Sequence, residues 1–302
     1  MRQAQALPSS IEVNELTTAE VGLQSELTVE IYESYARDEL VLPSLPDIAM
    51  KIRDAVENPD ATARDIERIV TADPAVAARL LQVANSPAFA GTIKVESCRD
   101  AVTRLGFSTT REIVTAIVMK GLFKSDSSLL KRLMRALWRH STLVAAVSYH
   151  LAKAQRGFNP DRALLAGLVH DIGVLPVIAA AQGHVEELLD NHALESCLSS
   201  LRGQIGALVL RKWDFPDDLV NVALECEDWR RDHTSEADYC DLVMVAQVFA
   251  LAGTPQFAGL PPILELPAFD RLTGGTLSAE QTLEMLDRAR FDIEVLQTLL
   301  AR

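Results

Sequence analysis

Apolar residues in this chain recur at intervals of three and four, and no stretch alternates polar and apolar residues with hairpin turns between. That is the pattern of helices packed by one face, and it predicts an all-α fold. The longest such pattern opens at Ser128 and runs to about Lys153. In it Leu133, Leu137, His140, Val144, Val147 and Leu151 follow one another at spacings of four, three, four, three and four. A histidine thus sits in the apolar stripe of a long helix, on the side that faces the core.

Local signals divide the rest. Thr17 and Glu20 predict a capping box ahead of a helix with the stripe Leu23, Leu27, Ile31 and Tyr35, expected to pack on the lobe that follows. The two prolines of LVLPSLPD predict an extended connector and a first boundary. Asn58-Pro59-Asp60 is a turn, Thr62 an N-cap for Ile66, Ile69 and Val70, and Asp73-Pro74 a cap plus first-turn proline before Val76, Leu80 and Val83. Gly106 closes a short helix, and Thr109 with Glu112 predicts a capping box for Ile113, Ile117 and Leu122. Further on, Asn159-Pro160 opens the helix ALLAGLVHDIG, an acidic helix spans Val185 to Asp190, and Gly203 predicts a break. A hydrophobic helix follows at 239–252, then a Gly- and Pro-rich surface loop at 253–278 and an amphipathic helix or helix pair at 278–302.

Composition narrows the function. With 302 residues and 48% hydrophobic content the chain can bury one large core or two smaller ones. Its formal charge is −13, and Glu12, Glu15, Glu20, Glu26, Glu30, Glu33, Asp38 and Glu39 crowd the first forty residues. Nucleic-acid binding draws most of its affinity from Lys and Arg on phosphates, so this balance predicts no nucleic-acid partner. Cys98, Cys197, Cys226 and Cys240 show no CxxC spacing, which suits reduced core cysteines rather than zinc or a disulfide framework. Every long apolar run is interrupted by His, Asp, Gln or Pro, which predicts no membrane insertion and a cytoplasmic location.

The chemistry centres on His170-Asp171. Ala163, Ala166 and Gly167 lie one and two turns before this pair, so a second helix can approach closely, and the long helix with His140 is the expected neighbour. Two imidazoles and a carboxylate between helices are what a divalent metal needs. The spacing His140 … His170-Asp171 resembles the HD superfamily of metal-dependent phosphohydrolases. The segment LPSLPDIAMKIRDAVENPDATARDIERIVTADPAVAARLLQVANSPAF, followed by DAVTRLGFSTTREIV, closely resembles the HDOD family of bacterial signalling output domains, the likeness covering roughly residues 42–272. The resemblance implies an all-helical, two-lobed fold. Residues 42–125 would form an N-terminal lobe of about five helices and 126–272 an HD-like lobe, flanked by an acidic helix and connector (1–41) and a C-terminal extension (273–302). It also implies signalling partners of the response-regulator, diguanylate-cyclase or kinase type.

The departures from that pattern set the functional expectation. Where the HD pattern has a further Asp on a later helix, this chain has Gln247, a neutral amide in place of an anion. Arg202 and Glu225-Cys226 stand where related hydrolases often carry additional histidines, and Val174 stands where many active relatives have a lysine. The expected metal set is therefore His140, His170 and Asp171, vestigial or weak, with Gln247 at the fourth position and no catalytic residue. No cofactor is expected beyond a weakly held divalent metal. The leading reading is a non-catalytic signalling module working by protein–protein contact; the alternative is a metal-dependent phosphohydrolase using His140, His170 and Asp171. Lys131, Arg132, Arg135 and Arg139 line one helix and read as a solvated face paired with acidic neighbours, or as a phosphate or cyclic-nucleotide contact. His150, His184, His192 and His233 have no partner at useful spacing.

Overall fold

The computed structural model describes residues 29–35, 37, 39–89, 91–125, 127–180, 193–233, 236–273 and 279–301. Thr17, Glu20, Leu23, Leu27, the Val185–Asp190 segment, His184 and His192 lie outside them. The regular elements among the described residues are helices, with no strand, as the periodicity predicts. They run α1 (29–35), α2 (Asp47–Glu57), α3 (Ala63–Thr71), α4 (Pro74–Ala84), α5 (Cys98–Leu105), α6 (Phe107–Met119) and α7 (Ser128–Ala154). After these come α8 (Pro160–Val169), α9 (Val174–Ala180), α10 (Ala193–Lys212), α11 (Asp217–Glu225), α12 (Tyr239–Leu251), α13 (Pro267–Thr273), α14 (Ala279–Arg288) and α15 (Arg290–Ala301).

Polar caps start several of them. Thr62 and Asp65 form a reciprocal capping box. The Asp73 carboxylate accepts from the amides of Ala75 and Val76 at 2.8 and 3.2 Å, and Asn159 from those of Asp161 and Arg162 at 2.9 and 3.2 Å, each ahead of a first-turn proline. Gly106 joins α5 to α6 at φ 79°, a left-handed conformation that favours glycine.

Two apolar clusters result. The smaller holds Ile52, Ile66, Val70, Leu80, Val102 and Ile113 of α2 to α6. The larger is built on α7, with Val144, Val147 and Leu151 against Leu164, Leu168, Ile205 and Val243. The helix α15 touches both: Leu296 and Leu300 belong to the larger, Leu299 packs on the smaller, and Arg79 of α4 donates to the Leu299 carbonyl at 2.7 Å. The stretch Pro160–Ala180 is long and apolar enough by composition to cross a membrane, yet 89% of its most apolar 18-residue window is buried inside the fold, as in a core helix pair.

Three local expectations are corrected. The helix α6 starts at Phe107, with Gly106 as its N-cap, so Glu112 is not a capping residue. Its side chain is buried instead, accepting from Arg111 at 2.6 Å, while Thr109 bonds Asp161. The helix α10 runs unbroken through Gly203, because this glycine and Gly206 serve close packing and not a turn. The stretch 253–278 is not a plain loop: it holds the single 3-10 turns Pro255–Gly259 and Ile263–Glu265 and then α13, which buries Phe269 and Leu272. Of the stripe expected in the first helix, Ile31 and Tyr35 lie among the described residues of α1. Ile31 is buried within the larger cluster, Tyr32 donates to Gln204 of α10 at 2.5 Å, and Tyr35 is exposed. The connector follows the same surface: the Trp213 indole donates to the Pro43 carbonyl at 2.9 Å, and Arg53 donates to the Trp213 carbonyl at 2.5 Å. An indole N–H buried in an apolar cluster needs an acceptor, and the extended proline segment supplies one.

Candidate metal centre

Close helix contact builds the site. A Cβ on Gly167 would lie 2.8 Å from the Ala145 Cα, so α8 rests on α7 with no side chain between. This brings His170, just past the end of α8, against His140 in the middle of α7. The Gly167 carbonyl lies 2.8 Å from His170 Nδ1 and can only accept, so Nδ1 carries a proton and, in the neutral ring, Nε2 presents a lone pair. That nitrogen lies 3.3 Å from His140 Nε2 and 3.3 Å from Asp171 Oδ2, and His140 Nε2 lies 3.9 Å from the same oxygen. A first-row divalent ion with bonds of about 2.0–2.2 Å spaces its ligand atoms by roughly 3.0–3.6 Å. Two of the three separations fall in that range, and the His140–Asp171 separation of 3.9 Å is wider.

Burial and charge set the protonation states. Burial pushes His140 down to about 4, with His170 and Arg202 acting in the same direction and Asp171 against them, so the ring is neutral at pH 7. Burial alone would raise the Asp171 carboxyl, but the His170 ring and the Arg202 guanidinium override it and hold the group far below the usual carboxylate range. Unfolded, His140 titrates near 6.5. Between about pH 6.5 and 4 unfolding therefore takes up a proton, and stability falls as pH drops through that window. The expected slope from this residue is up to about 1 kcal/mol per pH unit. Denaturant melts of the protein and of His140→Gln check it, the variant losing that part of the slope.

The fourth position is different. Gln247 of α12 is buried, and its Nε2 donates to the Cys226 carbonyl at 2.9 Å, a bond that an aspartate could not make. Burial and the charge of Asp171 push the Cys226 thiol up to about 12, so it offers no thiolate. On the other side Arg202 Nη1 approaches Asp171 Oδ1 at 3.6 Å, and the same guanidinium pairs with Glu227. Sequence reasoning singled out Arg202 but missed Glu227, whose partnership depends on how α10 and α11 meet. The three donors stand close enough together to hold one divalent ion.

A second group, His233, Asp238 and Asp241, has metal-like spacing. It is already neutralised. Asp241 is fully buried and accepts from Arg271 at 2.8 and 3.2 Å, from Arg231 at 3.2 Å and from His233 at 3.2 Å, while Asp238 and Asp241 together cap α12. His233 is thus partnered, contrary to the expectation from spacing. The basic cluster also departs from its simpler reading. Lys131, Arg132 and Arg135 are exposed and make no ion pair among the described residues. Lys131 and Arg135 line a cleft of about 410 Å³ with Phe123, Lys124 and Ser125.

An all-helical fold in which a long central helix and a following helix–turn bring His, His and Asp together defines an HD-type protein. The HDOD domain profile matches residues 42–228, and the chain belongs to that family. It is 25% identical over 195 residues to an uncharacterized protein of Treponema pallidum (strain Nichols); that match takes in 60% of this chain and 36% of that one, so the chain spans about a third of the relative's length. Among solved structures it resembles a candidate metal-dependent phosphohydrolase from Shewanella amazonensis SB2B, with TM-score 0.72 and 25% identity over 92% of this chain and 99% of that one. It also shares the fold of a candidate signal transduction protein from Marinobacter aquaeolei VT8, with TM-score 0.61 and 22% identity over 95% of this chain and 68% of that one.

Proposed function

We propose that the protein is a non-catalytic HDOD signalling module that acts through protein–protein contacts, with an incomplete metal site kept as part of its core. The observation that carries this reading is Gln247: its amide is committed to the Cys226 carbonyl where the resemblance calls for a ligating carboxylate. Two imidazoles and one carboxylate are one anionic donor short of the set that the resemblance implies, which lowers the attraction for a hard divalent ion. When bound, such an ion would supply Lewis-acid activation of a water or a phosphoryl oxygen. His140, His170 and Asp171 would hold it, with His170 fixed in the right tautomer by the Gly167 carbonyl.

Elemental analysis of the purified protein tests the proposal. The expected result is no stoichiometric transition metal, and one or two tightly bound ions per chain would contradict it. Gln247→Asp is expected to raise divalent-metal affinity, read by isothermal titration, because it restores an anion. An unchanged affinity would mean that position 247 does not face the site.

The partner we propose is a signalling protein of the response-regulator, diguanylate-cyclase or kinase type in the cytoplasm, a location that suits four cysteines in thiol form. The unpaired cations of the Phe123–Arg135 cleft would meet an acidic surface on it. Arg135→Glu is then expected to weaken partner capture and flatten its salt dependence, whereas equal binding by both proteins would remove the cleft from the interface. The alternative, a phosphohydrolase acting through His140, His170 and Asp171, is favoured by their coordination spacing alone.

A further inference from the structure

Resting on the reading of an incomplete metal site, we propose that the Arg202 guanidinium is the resident cation of that site, and that the Arg202–Glu227 pair holds divalent ions out. The placement begins with glycines. A Cβ on Gly173 would lie 2.0 Å from the Arg202 carbonyl oxygen, so the turn that carries Asp171 rests directly on the backbone of α10 at Arg202. A Cβ on Gly203, the next residue along, would lie 2.8 Å from the Leu224 carbonyl, so the end of α11 rests there too. Arg202 is thereby fixed where three elements meet, with Asp171 on one side and Glu227, just past α11, on the other.

The side chains fit that placement. Arg202 Nη1 is 3.6 Å from Asp171 Oδ1, and Nη2 pairs with Glu227. Asp171 is 7% exposed, Arg202 27% and Glu227 28%, so screening by solvent is partial. Asp171 Oδ1 and Arg202 Nε are buried with no hydrogen-bond partner, and the opposite charge across the gap is what compensates them. An ion held by His140, His170 and Asp171 Oδ2 would have a full positive charge on the far oxygen of its only carboxylate. At such separations in a partly buried site, that repulsion lowers divalent affinity by about tenfold or more. The arginine therefore does what a second metal would do for Asp171, at a distance fixed by backbone contact, and it is not exchangeable with solvent ions.

Nickel titration calorimetry, with melting temperatures recorded with and without nickel, tests this. Arg202→Ala is expected to bind Ni²⁺ about tenfold or more tightly than the parent protein and to gain a nickel-dependent rise in melting temperature. Arg202→Lys, which keeps the charge, should stay at parental affinity. His170→Ala added to Arg202→Ala should abolish the gain, which assigns it to this site. Should Arg202→Ala fail to fold, the near-isosteric Arg202→Gln gives the same readout. Equal nickel affinity in the parent and in the folded neutral variants would overturn the inference, as would tightening in Arg202→Lys to the level of Arg202→Ala. Tight stoichiometric nickel in the parent protein would overturn the incomplete-site reading itself, so the two failures are distinguishable.

Discussion

Asp241→Ala is expected to cost the fold about 3–5 kcal/mol, the range for removing one partner of a buried ion pair. Asp241 is fully buried at the start of α12 and accepts from both Arg231 and Arg271, whose side chains are each 13% exposed. Removing the carboxylate leaves two largely buried guanidiniums facing each other and also breaks the capping box with Asp238. Arg231 retains Glu225 and Asp238, and Arg271 retains Asp232, which keeps the loss from being larger. Urea unfolding followed by far-UV circular dichroism measures the effect. Asp241→Asn, which keeps the shape and some acceptor capacity, should lose less. A loss below about 1 kcal/mol for the alanine variant would show that the two arginines find water or other partners.

Gly173→Ala is expected to be nearly as damaging, at about 2–4 kcal/mol, at or above the upper end of ordinary overpacking. The added methyl would meet the Arg202 carbonyl oxygen at 2.0 Å and the Gly206 amide nitrogen at 2.4 Å. Both are backbone atoms inside α10, so no side-chain rotation relieves the clash and the helix itself must move. Thermal melts read the loss. The near-UV spectrum should change as well, because Trp213 lies at the end of the same helix and is buried. An unchanged melting temperature would mean that α10 and the turn after Asp171 are not in direct backbone contact.

Much of this was legible in the residues. The seam Leu133 to Leu151 gave the long helix with His140 on it, and Ala163, Ala166 and Gly167 announced close approach, which the Gly167–Ala145 contact shows. The convergence of His140, His170 and Asp171 follows from those two facts. What sequence pattern could not show were partnerships made by docking. Asp241 reads as one acid in an apolar run, and only the packing of α13 on α12 brings Arg271 to it. Glycine reads as a break, and Gly203 breaks nothing because a neighbouring carbonyl fills the space its missing side chain leaves. The loop expectation at 253–278 weighed Gly and Pro over the short apolar set Leu266, Phe269 and Leu272, and that set is what anchors α13. The apolar stripe of the acidic first helix argues for burial, which Ile31 shows and the exposed Tyr35 does not, while Tyr32 bonds Gln204 of α10.

The central claim is that His140, His170 and Asp171 form a structural remnant and not a working phosphohydrolase. The most direct test is a phosphodiesterase and phosphomonoesterase assay of the intact protein in the presence of Mn²⁺, Mg²⁺ or Ni²⁺, run beside His170→Ala and Asp171→Ala. The account predicts no turnover above the buffer and metal background for any of the three proteins, with each alanine variant losing about 1–3 kcal/mol of stability because a buried polar partner is left unsatisfied. Metal-dependent hydrolysis by the parent protein, abolished in a variant that keeps its full melting temperature, would contradict it.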